Sequence, residues 1–412
     1  MAKENKKRVP KLRFKGFTDD WEQRKLGEIA DIVGGGTPNT NNDSYWDGEI
    51  NWFAPAEINE QIYVKSSKKK ITELGLRKSS AKKLPPGTVL FTSRAGIGKM
   101  AILTEESTTN QGFQSIVPIK NILDSYFIFS RTKELKRYGE RMGSGSTFVE
   151  ISGKQMEQMP IRIPNIIEQK EISLFFIKLD KTLTLHQRKL AQLEKLKQAL
   201  LQQMFPQKDA VVPKLRFANF DGNWKQHRLG ELGETKSGIG FPDEEQGGKK
   251  GIPFFKVSDM NNIGNEHEMK NSNNYVDTEQ LKKRNWKPIM NVPAVIFAKV
   301  GAAIMLNRKR IVRMPFLLDN NTMAYIFDDS WNSDFGKILF ETIYLPRYAQ
   351  VGALPSYNSS DINSVKVFIP NKNEQEKIGV FFKELDNLIT VHHHKLDQLK
   401  LLKKELLQQM FI

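Results

Sequence analysis

Residues Ile163–Phe205 read IPNIIEQKEISLFFIKLDKTLTLHQRKLAQLEKLKQALLQQMF, and Ile369–Phe411 repeat this stretch with 24 identities in 43 positions. Apolar residues recur alternately three and four positions apart in both copies, and charged residues fill most of the other positions. This spacing is typical of a coiled-coil seam on a long helix. We therefore predict two long helices, each starting after a proline, Pro164 or Pro370.

The predicted seam has similar residue types in both copies. It contains Leu179, Leu183, His186, Leu190, Leu193, Lys197 and Leu200 in the first copy, and Leu385, Ile389, His392, Leu396, Leu399, Lys403 and Leu406 in the second. The seam needs a partner, and the nearest one is the other copy. The histidine and the lysine at matching positions either fix the register of the helix pair or extend past the seam into water. The sequence leaves both interpretations open.

A second repeat opens each half of the chain. The segment VPKLRF at Val9–Phe14 recurs as Val212–Phe217, and 12 of the 20 positions from Val9 to Glu28 are identical in the second copy. The long segments between the repeats share little sequence, but both have the order strand, glycine-containing turn, strand, helix and Ser/Gly loop. This common order predicts one fold with two different surfaces.

The repeats predict the domain organisation and the fold class. We place the first domain at residues 1–162, the first long helix at 163–208, the second domain at 209–368 and the second long helix at 369–412. Within the domains we predict helices over Ser125–Met142 and Ser333–Arg347. The fold class is α+β, with two related mixed α/β domains separated by two long helices.

The composition narrows the classes of function. The chain has 63 Lys and Arg residues against 47 Asp and Glu residues, a formal net charge of +16, and it has no cysteine. Disulfides, Cys-ligated zinc, iron–sulfur clusters and thiol nucleophiles are therefore excluded. The positive charge favours a polyanion such as DNA or RNA as partner, although it also serves solubility alone. Because we find neither a signal peptide nor a long apolar segment, we expect a cytoplasmic protein without a membrane partner.

Motifs for catalysis are weak in this sequence. Residues Ser93–Met100, SRAGIGKM, resemble a phosphate-binding loop but lack its first glycine and the Ser or Thr after the lysine. Asp243, Glu268 and Lys270 match the loose PD…ExK pattern of metal-dependent nucleases, without a counterpart in the first half. Residues 392–394 are three histidines that cannot converge on one ion, because neighbours on a helix point about 100° apart. We assign no catalytic and no metal-binding residue, and a fused nuclease remains an alternative.

The repeated motifs together resemble one protein family. The residues that carry the resemblance are Ile163–Asn165 with Glu168 and Gln169, Ile369–Asn371 with Glu374 and Gln375, Trp21 with Leu26–Glu28, and Trp224 with Leu229–Glu231. They are similar to motifs of the DNA sequence-specificity subunits of Type I restriction–modification systems, the HsdS family. The resemblance covers essentially the whole chain, and its specificity lies in the combination of repeat length, order and closing helix.

The resemblance implies a function and a set of partners. In this family each middle segment is a target-recognition domain that reads one half of a bipartite, asymmetric DNA site. Two antiparallel spacer helices with pseudo-twofold symmetry would then set the number of unread base pairs between the half-sites. The chain would have neither catalytic residues nor a cofactor of its own. A coiled-coil adaptor that binds DNA without sequence specificity is a further alternative.

The implied partners are double-stranded DNA, two modification (methyltransferase) subunits and restriction subunits with ATP-dependent translocase and endonuclease activity. Those subunits are expected to use S-adenosylmethionine, ATP and Mg²⁺. Together the complex would methylate DNA at its own sites and act in defence against foreign DNA.

The predicted DNA contacts lie in polar, glycine-flexed loops at matching places in both halves. Arg, Lys, Asn and Gln can read base edges, and Ser and Thr also reach phosphates. In the first half we predict Ser93, Arg94, Lys99, Asn110, Gln111, Ser144, Ser146 and Thr147, with Lys68, Lys69 and Lys70 on phosphates. In the second half we predict Lys299, Asn307, Arg308, Lys309, Arg310, Asn320, Asn321, Ser356 and Asn358, with Lys249 and Lys250 on phosphates. For any single residue, a solvated loop position is an equally good interpretation. The segment Gly34–Thr37 we interpret as a flexible turn.

Overall fold

The computed structural model describes residues 9–59, 61–94, 96–143, 150–207, 210–350, 352 and 354–411. The chain divides into two compact units. The first unit consists of Met1–Leu185 and Asp397–Ile412, and the second of His186–Leu396. Each unit therefore contains one α/β domain, the beginning of the long helix that follows this domain, and the final part of the other long helix.

The first unit is built from short strands and helices around three sheets. Its strands are β1 (Glu22–Lys25), β2 (Ala30–Gly34), β3 (Trp46–Phe53), β4 (Tyr63–Val64), β5 (Lys69–Ile71), β6 (Val89–Phe91), β7 (Met100–Leu103), β8 (Thr108–Thr109), β9 (Gln114–Pro118) and β10 (Pro160–Ile163). Its helices are α1 (Glu73–Arg77), α2 (Ser125–Ser130), α3 (Thr132–Gly143), α4 (Gly153–Glu157) and the start of α5 (Ile166–Gln203). The largest sheet has the strand order β2-β9-β6-β7-β4, beside the sheets β5-β3-β8 and β1-β10.

The second unit repeats this plan with one strand fewer in its largest sheet. Its strands are β11 (Lys225–Arg228), β12 (Gly233–Ser237), β13 (Ile252–Phe255), β14 (Tyr275–Val276), β15 (Ala294–Ala298), β16 (Lys309–Val312), β17 (Leu317–Leu318), β18 (Thr322–Phe327) and β19 (Lys366–Ile369). Its helices are α6 (Thr278–Arg284), α7 (Ser333–Thr342), α8 (Ser359–Asn363) and α9 (Lys372–Gln409), the last of which ends in the first unit. The sheet orders are β12-β18-β15-β16, β14-β13-β17 and β11-β19.

The two-stranded sheets join the beginning of each domain to its end. Strand β1 pairs antiparallel with β10, so that Glu22 lies opposite Ile163, and β11 pairs with β19, so that Lys225 lies opposite Ile369. The two sequence repeats are thus direct neighbours in each unit. Gly27 is required at this place, because a Cβ atom there would lie 2.9 Å from Cβ of Glu157 on α4.

Each unit closes its core with an aromatic residue from the end of a long helix. In the first unit, Phe411 packs against Trp21 and Phe127, with ring centroids 6.1 and 5.5 Å apart. In the second unit, Phe205 packs against Trp224 and Phe335 at 5.9 and 5.7 Å. Burial of these rings is a main source of core stability.

Within each unit the two long helices run antiparallel. Phe176, near the start of α5, contacts Phe411 beyond the end of α9, and Phe382, near the start of α9, contacts Phe205 beyond the end of α5. The predicted seam residues are buried or half-buried in both copies. The predicted fold class and the two long helices are confirmed.

Two of the predicted domain helices differ from the structure. Ser125–Met142 is interrupted at Arg131, whose buried guanidinium bonds to the backbone oxygen of Arg162 and, at 2.6 Å, to Glu134. The predicted Ser333–Arg347 helix ends at Thr342, and Leu345–Tyr348 forms a 3-10 turn with Pro346, which has no N–H for a continuing helix. Across the described residues, no helix combines the length and the apolar character that a membrane span requires.

Candidate nucleic-acid interface

Two of the predicted loops and a further segment meet at one end of the largest sheet in the first unit. The backbone N–H of Ser93, directly after β6, donates to the Gly112 oxygen at 2.8 Å. The Ser93 oxygen in turn accepts from the N–H of Ile151 at 3.0 Å, and Arg94 forms a backbone bridge with Glu150. The loop after β6, the loop before β9 and the segment before α4 therefore form one surface.

The second unit contains the same arrangement at the same end of its sheet. The N–H of Lys299 donates to the Asn321 oxygen at 2.7 Å, and the Lys299 oxygen accepts from Tyr357 at 3.0 Å. Val300 forms a backbone bridge with Ser356. Lys299 makes the same backbone hydrogen bonds as Ser93. The loops that the sequence analysis matched between the two halves are therefore structurally equivalent. We call these surfaces the loop edges of the two units.

A glycine-rich segment completes each loop edge, and in the first unit this segment is Gly34–Thr37, which the sequence analysis interprets as a flexible turn. In the first unit Gly36 donates to the Thr109 oxygen at 2.8 Å, and the Thr37 hydroxyl donates to the side-chain oxygen of Gln111. In the second unit Ile239 donates to the Leu318 oxygen at 2.8 Å. The neighbouring Gly238 has no room for a side chain, because a Cβ atom would lie 1.8 Å from the Asp319 oxygen. Both segments are thus fixed by backbone contacts.

The predicted contacts of the first unit occupy different environments. Lys68, Lys69, Lys99 and Gln111 are exposed, and Lys70, Arg94 and Asn110 are half-buried. Ser93 is fully buried, and no hydrogen-bond partner of its hydroxyl lies among the described residues. Asn110 accepts from the N–H of Gly112 at 2.8 Å and shapes the loop before β9. Ser144, Ser146 and Thr147 lie outside the described residues.

In the second unit the most accessible of the predicted residues are amides and lysines. Asn320, Asn321, Asn358, Lys249 and Lys250 are exposed. Half-buried are Lys299, Asn307, Arg308, Arg310 and Ser356. Asn358 also caps helix α8, since its side chain accepts from the N–H of Asp361 at 2.9 Å. The exposed amides offer both donors and acceptors to a ligand at the loop edge.

Lys309 and Arg310 have partners inside their own domain. The ammonium group of Lys309, which is only 4% exposed, donates to the Asn307 side chain at 2.7 Å and to the Ile343 oxygen at 2.6 Å. Burial lowers the pKa of Lys309 to about 7, because the opposing charge of Glu341 offsets only part of the lost solvation. Arg310 donates to the Asn265 oxygen at 2.6 Å. In this conformation both side chains support the loops behind the edge.

The start of each long helix is joined to its domain by the residues that carry the family resemblance. In the first unit Glu168 is fully buried and accepts two hydrogen bonds from Arg13, both at 2.7 Å. Asn165 caps the helix by accepting from the N–H of Glu168 at 3.0 Å. Gln169 accepts from Asp124 at 3.0 Å and donates to the backbone of Ile122 at 2.9 Å.

The second unit contains the same set of bonds. Glu374 accepts from Arg216 at 2.6 and 2.7 Å, and Asn371 accepts from the N–H of Glu374 at 3.0 Å. Gln375 accepts from Asn332 at 2.9 Å and donates to the Ser330 oxygen at 3.2 Å. The motif therefore fixes the angle at which each helix leaves its domain, and with it the position of the loop edge on that helix.

The polar residues of the seam contact partners rather than extending into water. Nδ1 of His186 lies 3.2 Å from Nδ1 of His392, within hydrogen-bonding distance. Lys197 is buried and lies 2.6 Å from both Glu341 and Asp386. Burial disfavours its charged form, but the two carboxylates outweigh this effect and raise its pKa. Lys403 pairs with Asp180 at 2.5 Å. Such specific partners favour the interpretation that these residues fix the register.

The two nuclease-like carboxylates, Asp243 and Glu268, contact different partners. Asp243 accepts from Gln246 at 2.9 Å, whereas Glu268 lies 3.6 Å from Arg313. The one group of three metal-type ligands found in the described part of the chain is His267, Glu341 and Asp386. The ammonium groups of Lys197 and Lys337 already neutralise the two carboxylates of this group. The geometry therefore gives no support to a nuclease site.

These features define a class: proteins in which two copies of one α/β unit each present a polar loop edge on the start of a long helix. The family model for the Type I restriction modification DNA specificity domain matches residues 18–195 and again residues 221–401. Because the two matches cover most of the chain, the protein belongs to this family. The family resemblance found in the sequence is confirmed.

Known proteins agree with this assignment. The chain is 28% identical to the Type I restriction enzyme MjaIX specificity subunit of Methanocaldococcus jannaschii, over 95% of the chain and 92% of that relative. It is 33% identical to the EcoR124I/EcoR124II specificity subunit of Escherichia coli, over 42% of the chain and 43% of that relative. The crystal structure of the Type I restriction–modification S subunit from M. genitalium has a TM-score of 0.65 at 15% identity, covering 98% of the chain and 99% of that structure. This last similarity concerns the fold.

Proposed function

We propose that this chain is the DNA-reading subunit of a Type I restriction–modification complex, and that each loop edge reads one half of a bipartite, asymmetric DNA site. The observation that carries this proposal is the duplication of the loop edge: the backbone bonds at Ser93 and Lys299 are equivalent, but the side chains that they present are different. Equivalent backbones place two edges in the same way on their helices. Different side chains then select different base sequences.

The chemistry of the loop edges suits duplex DNA. The exposed amides Gln111, Asn320 and Asn321 can each make paired hydrogen bonds to a base edge, and adenine is the usual partner of such amides. Exposed lysines such as Lys99, Lys249 and Lys250 can bind phosphates and so hold the duplex in register. Specific contacts from amides and general contacts from lysines are the combination that a sequence-reading protein requires.

We further propose that the exposed apolar side chains of the long helices bind two modification subunits, one for each unit. Leu174 and Leu185 on α5 are exposed, as are Val380 and Val391 on α9. In both helices the two residues lie eleven positions apart, about three turns, and therefore on one face. A repeated apolar face suits two copies of the same partner. Restriction subunits would join this assembly.

The proposed role assigns the chemistry to the partners. The modification subunits would supply S-adenosylmethionine-dependent adenine methylation, and the restriction subunits ATP- and Mg²⁺-dependent translocation and cleavage. The chain itself would contribute binding and positioning, and no catalytic residue.

Co-expression of the chain with a modification subunit, followed by genome-wide detection of methylated adenines, tests this proposal. We expect a bipartite motif with two unlike halves. Methylation without a common motif would instead identify a DNA-binding adaptor without specificity, and cleavage by the purified chain with Mg²⁺ alone would identify a nuclease. The variant Leu174→Ser/Leu185→Ser should co-purify with one modification subunit instead of two while the chain stays folded, because Val380 and Val391 on α9 are unchanged.

A further inference from the structure

The two loop edges differ most in the hairpin connection that leads into them. In the first unit Phe91 of β6 pairs with Met100 of β7, which leaves the eight residues 92–99 between the paired positions. In the second unit Phe297 of β15 pairs with Lys309 of β16, which leaves the eleven residues 298–308. The second connection is thus three residues longer, at a place where the surrounding backbone bonds of the two units are equivalent.

The longer connection is folded into a fixed turn. Residues Ala302–Leu306 form a 3-10 helix, preceded by Gly301 with φ +81° and followed by Asn307 in the left-handed conformation. Gly301 donates to the Pro355 oxygen at 2.9 Å, and the Asn307 side chain accepts from the N–H of Leu345 at 3.1 Å. The buried side chain of Ile304 anchors the turn in the core. Loss of chain entropy on ligand binding is therefore small here.

This turn exposes two adjacent apolar side chains. Met305 and Leu306 are each 58% exposed. Burial in the core therefore does not explain why these two positions are apolar. The corresponding connection of the first unit presents Gly96 and Lys99 to solvent, and its isoleucine, Ile97, is buried like Ile304. We call Met305 and Leu306 the apolar tip. Within the described part of the two connections, only the second unit has such a tip.

We propose that Met305 and Leu306 read a thymine by packing against its C5-methyl group in the major groove. This inference rests on the proposed function, that is, on the loop edge facing DNA. The thymine methyl is the apolar group that base pairs present in the major groove, and apolar side chains are its usual partners. Positively charged Lys299 and Arg308 lie on either side of the turn in the sequence, and both reach the surface. Their charges favour a polyanion over an apolar protein segment as the occupant.

The first step of the test uses the complete complex. The chain is co-expressed with its modification subunit, the methylated motif is determined, and duplexes carrying this motif are prepared with each thymine replaced in turn by deoxyuridine, which lacks only the methyl group. For the unchanged protein we expect one such replacement to weaken binding about fourfold, the effect of one buried methyl group.

The second step compares variants in the same assay. Met305→Ser/Leu306→Ser should bind the thymine duplex more weakly by a similar factor and should no longer distinguish thymine from deoxyuridine at that position. The control is Met290→Ser, because Met290 is 63% exposed but lies before Ala294, at the opposite end of β15 from the loop edge. The control should retain the full preference for thymine.

Three results would overturn the inference. The double variant could keep the preference for thymine, or no thymine could matter for the unchanged protein. Thirdly, the double variant could fail to co-purify with the modification subunit while its own DNA binding stays normal, which would make the tip a protein contact. A complex that produces no bipartite motif at all would instead contradict the proposed function, before the deoxyuridine duplexes are used.

Discussion

The two loop edges share a backbone and differ in their side chains. Ser93 and Lys299 make equivalent backbone hydrogen bonds at 2.7–3.0 Å, and the helix-start motifs around Glu168 and Glu374 make the same bonds to their domains. Between these fixed points the two halves have little sequence in common. The comparison shows which residues build the unit and which are free to vary with the sequence that is read.

The largest expected effect concerns the shared part of the comparison. Glu168→Ala and Glu374→Ala each leave a partly buried arginine, Arg13 or Arg216, without its carboxylate, which typically costs about 3–5 kcal/mol. If the two motifs are equivalent, both variants should lose a similar amount of unfolding free energy, each in its own unit. Chemical denaturation measures the loss, and hydrogen exchange locates it. Glu28→Ala is the control, because its carboxylate pairs with Arg24 at the exposed surface and such pairs contribute little to stability. Losses of different size would show that the motifs are not equivalent.

An effect of similar size is expected for the two aromatic side chains that close the cores, Phe205 and Phe411. Phe205 is buried, whereas Phe411 is half-buried and lies under the guanidinium of Arg131. Phe205→Ala should cost about 3–5 kcal/mol, and Phe411→Ala less, because less apolar surface is lost. Hydrogen exchange should show the loss of protection around Trp224 for the first variant and around Trp21 for the second. An equal loss in both units from either variant would contradict the division into two units.

The pH dependence of stability should differ between the units because of Lys309. Its pKa is about 7 in the folded chain and near 10.5 when unfolded, so the unfolded chain binds the proton more tightly. The second unit should therefore lose stability as the pH falls from 10 towards 7, and no further below that range. In Lys309→Met this dependence should disappear, as measured by denaturation between pH 7 and pH 10. If the variant kept the same pH dependence, another group would be responsible.

The smallest expected effect is on the salt dependence of DNA binding, which should distinguish Arg308 from the buried Lys309. Because Arg308 reaches the surface of the loop edge, Arg308→Gln should reduce the salt dependence of DNA binding by about one unit of slope. Lys309→Met should leave this slope unchanged, since its ammonium group bonds inside the domain. Titrations of the complex with DNA at several salt concentrations measure both slopes. A reduced slope in Lys309→Met would show that this lysine contacts DNA.

Much of the fold could be predicted because it depends on periodic patterns. The apolar spacing of the two closing segments predicted both α5 and α9, and the internal repeat predicted two units with one plan. The interruption at Arg131 depends on a side chain that bonds to Arg162, 31 residues away, and no local pattern reveals such a contact. By contrast, Pro346 in Ser333–Arg347 was a visible signal that the helix ends earlier.

The sequence predicted which loops form the candidate site, but it predicted less well which side chains those loops expose. Matching polar loops in both halves indicated the positions that the structure brings together around Ser93 and Lys299. Lys309 could not be distinguished from an exposed lysine, because its burial depends on Asn307 and the distant Ile343. The contribution of Gly34–Thr37 was missed, although glycines that recur near Gly238 in the second half were a usable signal.

The most direct test of the central claim is the methylation motif of two matched variants. Asn110→Ala/Gln111→Ala changes the loop edge of the first unit, and Asn320→Ala/Asn321→Ala changes that of the second. If each unit reads its own half-site on an equivalent backbone, each variant should relax one half of the motif and leave the other half unchanged. Relaxation of both halves by one variant, or of the same half by both variants, would contradict the account.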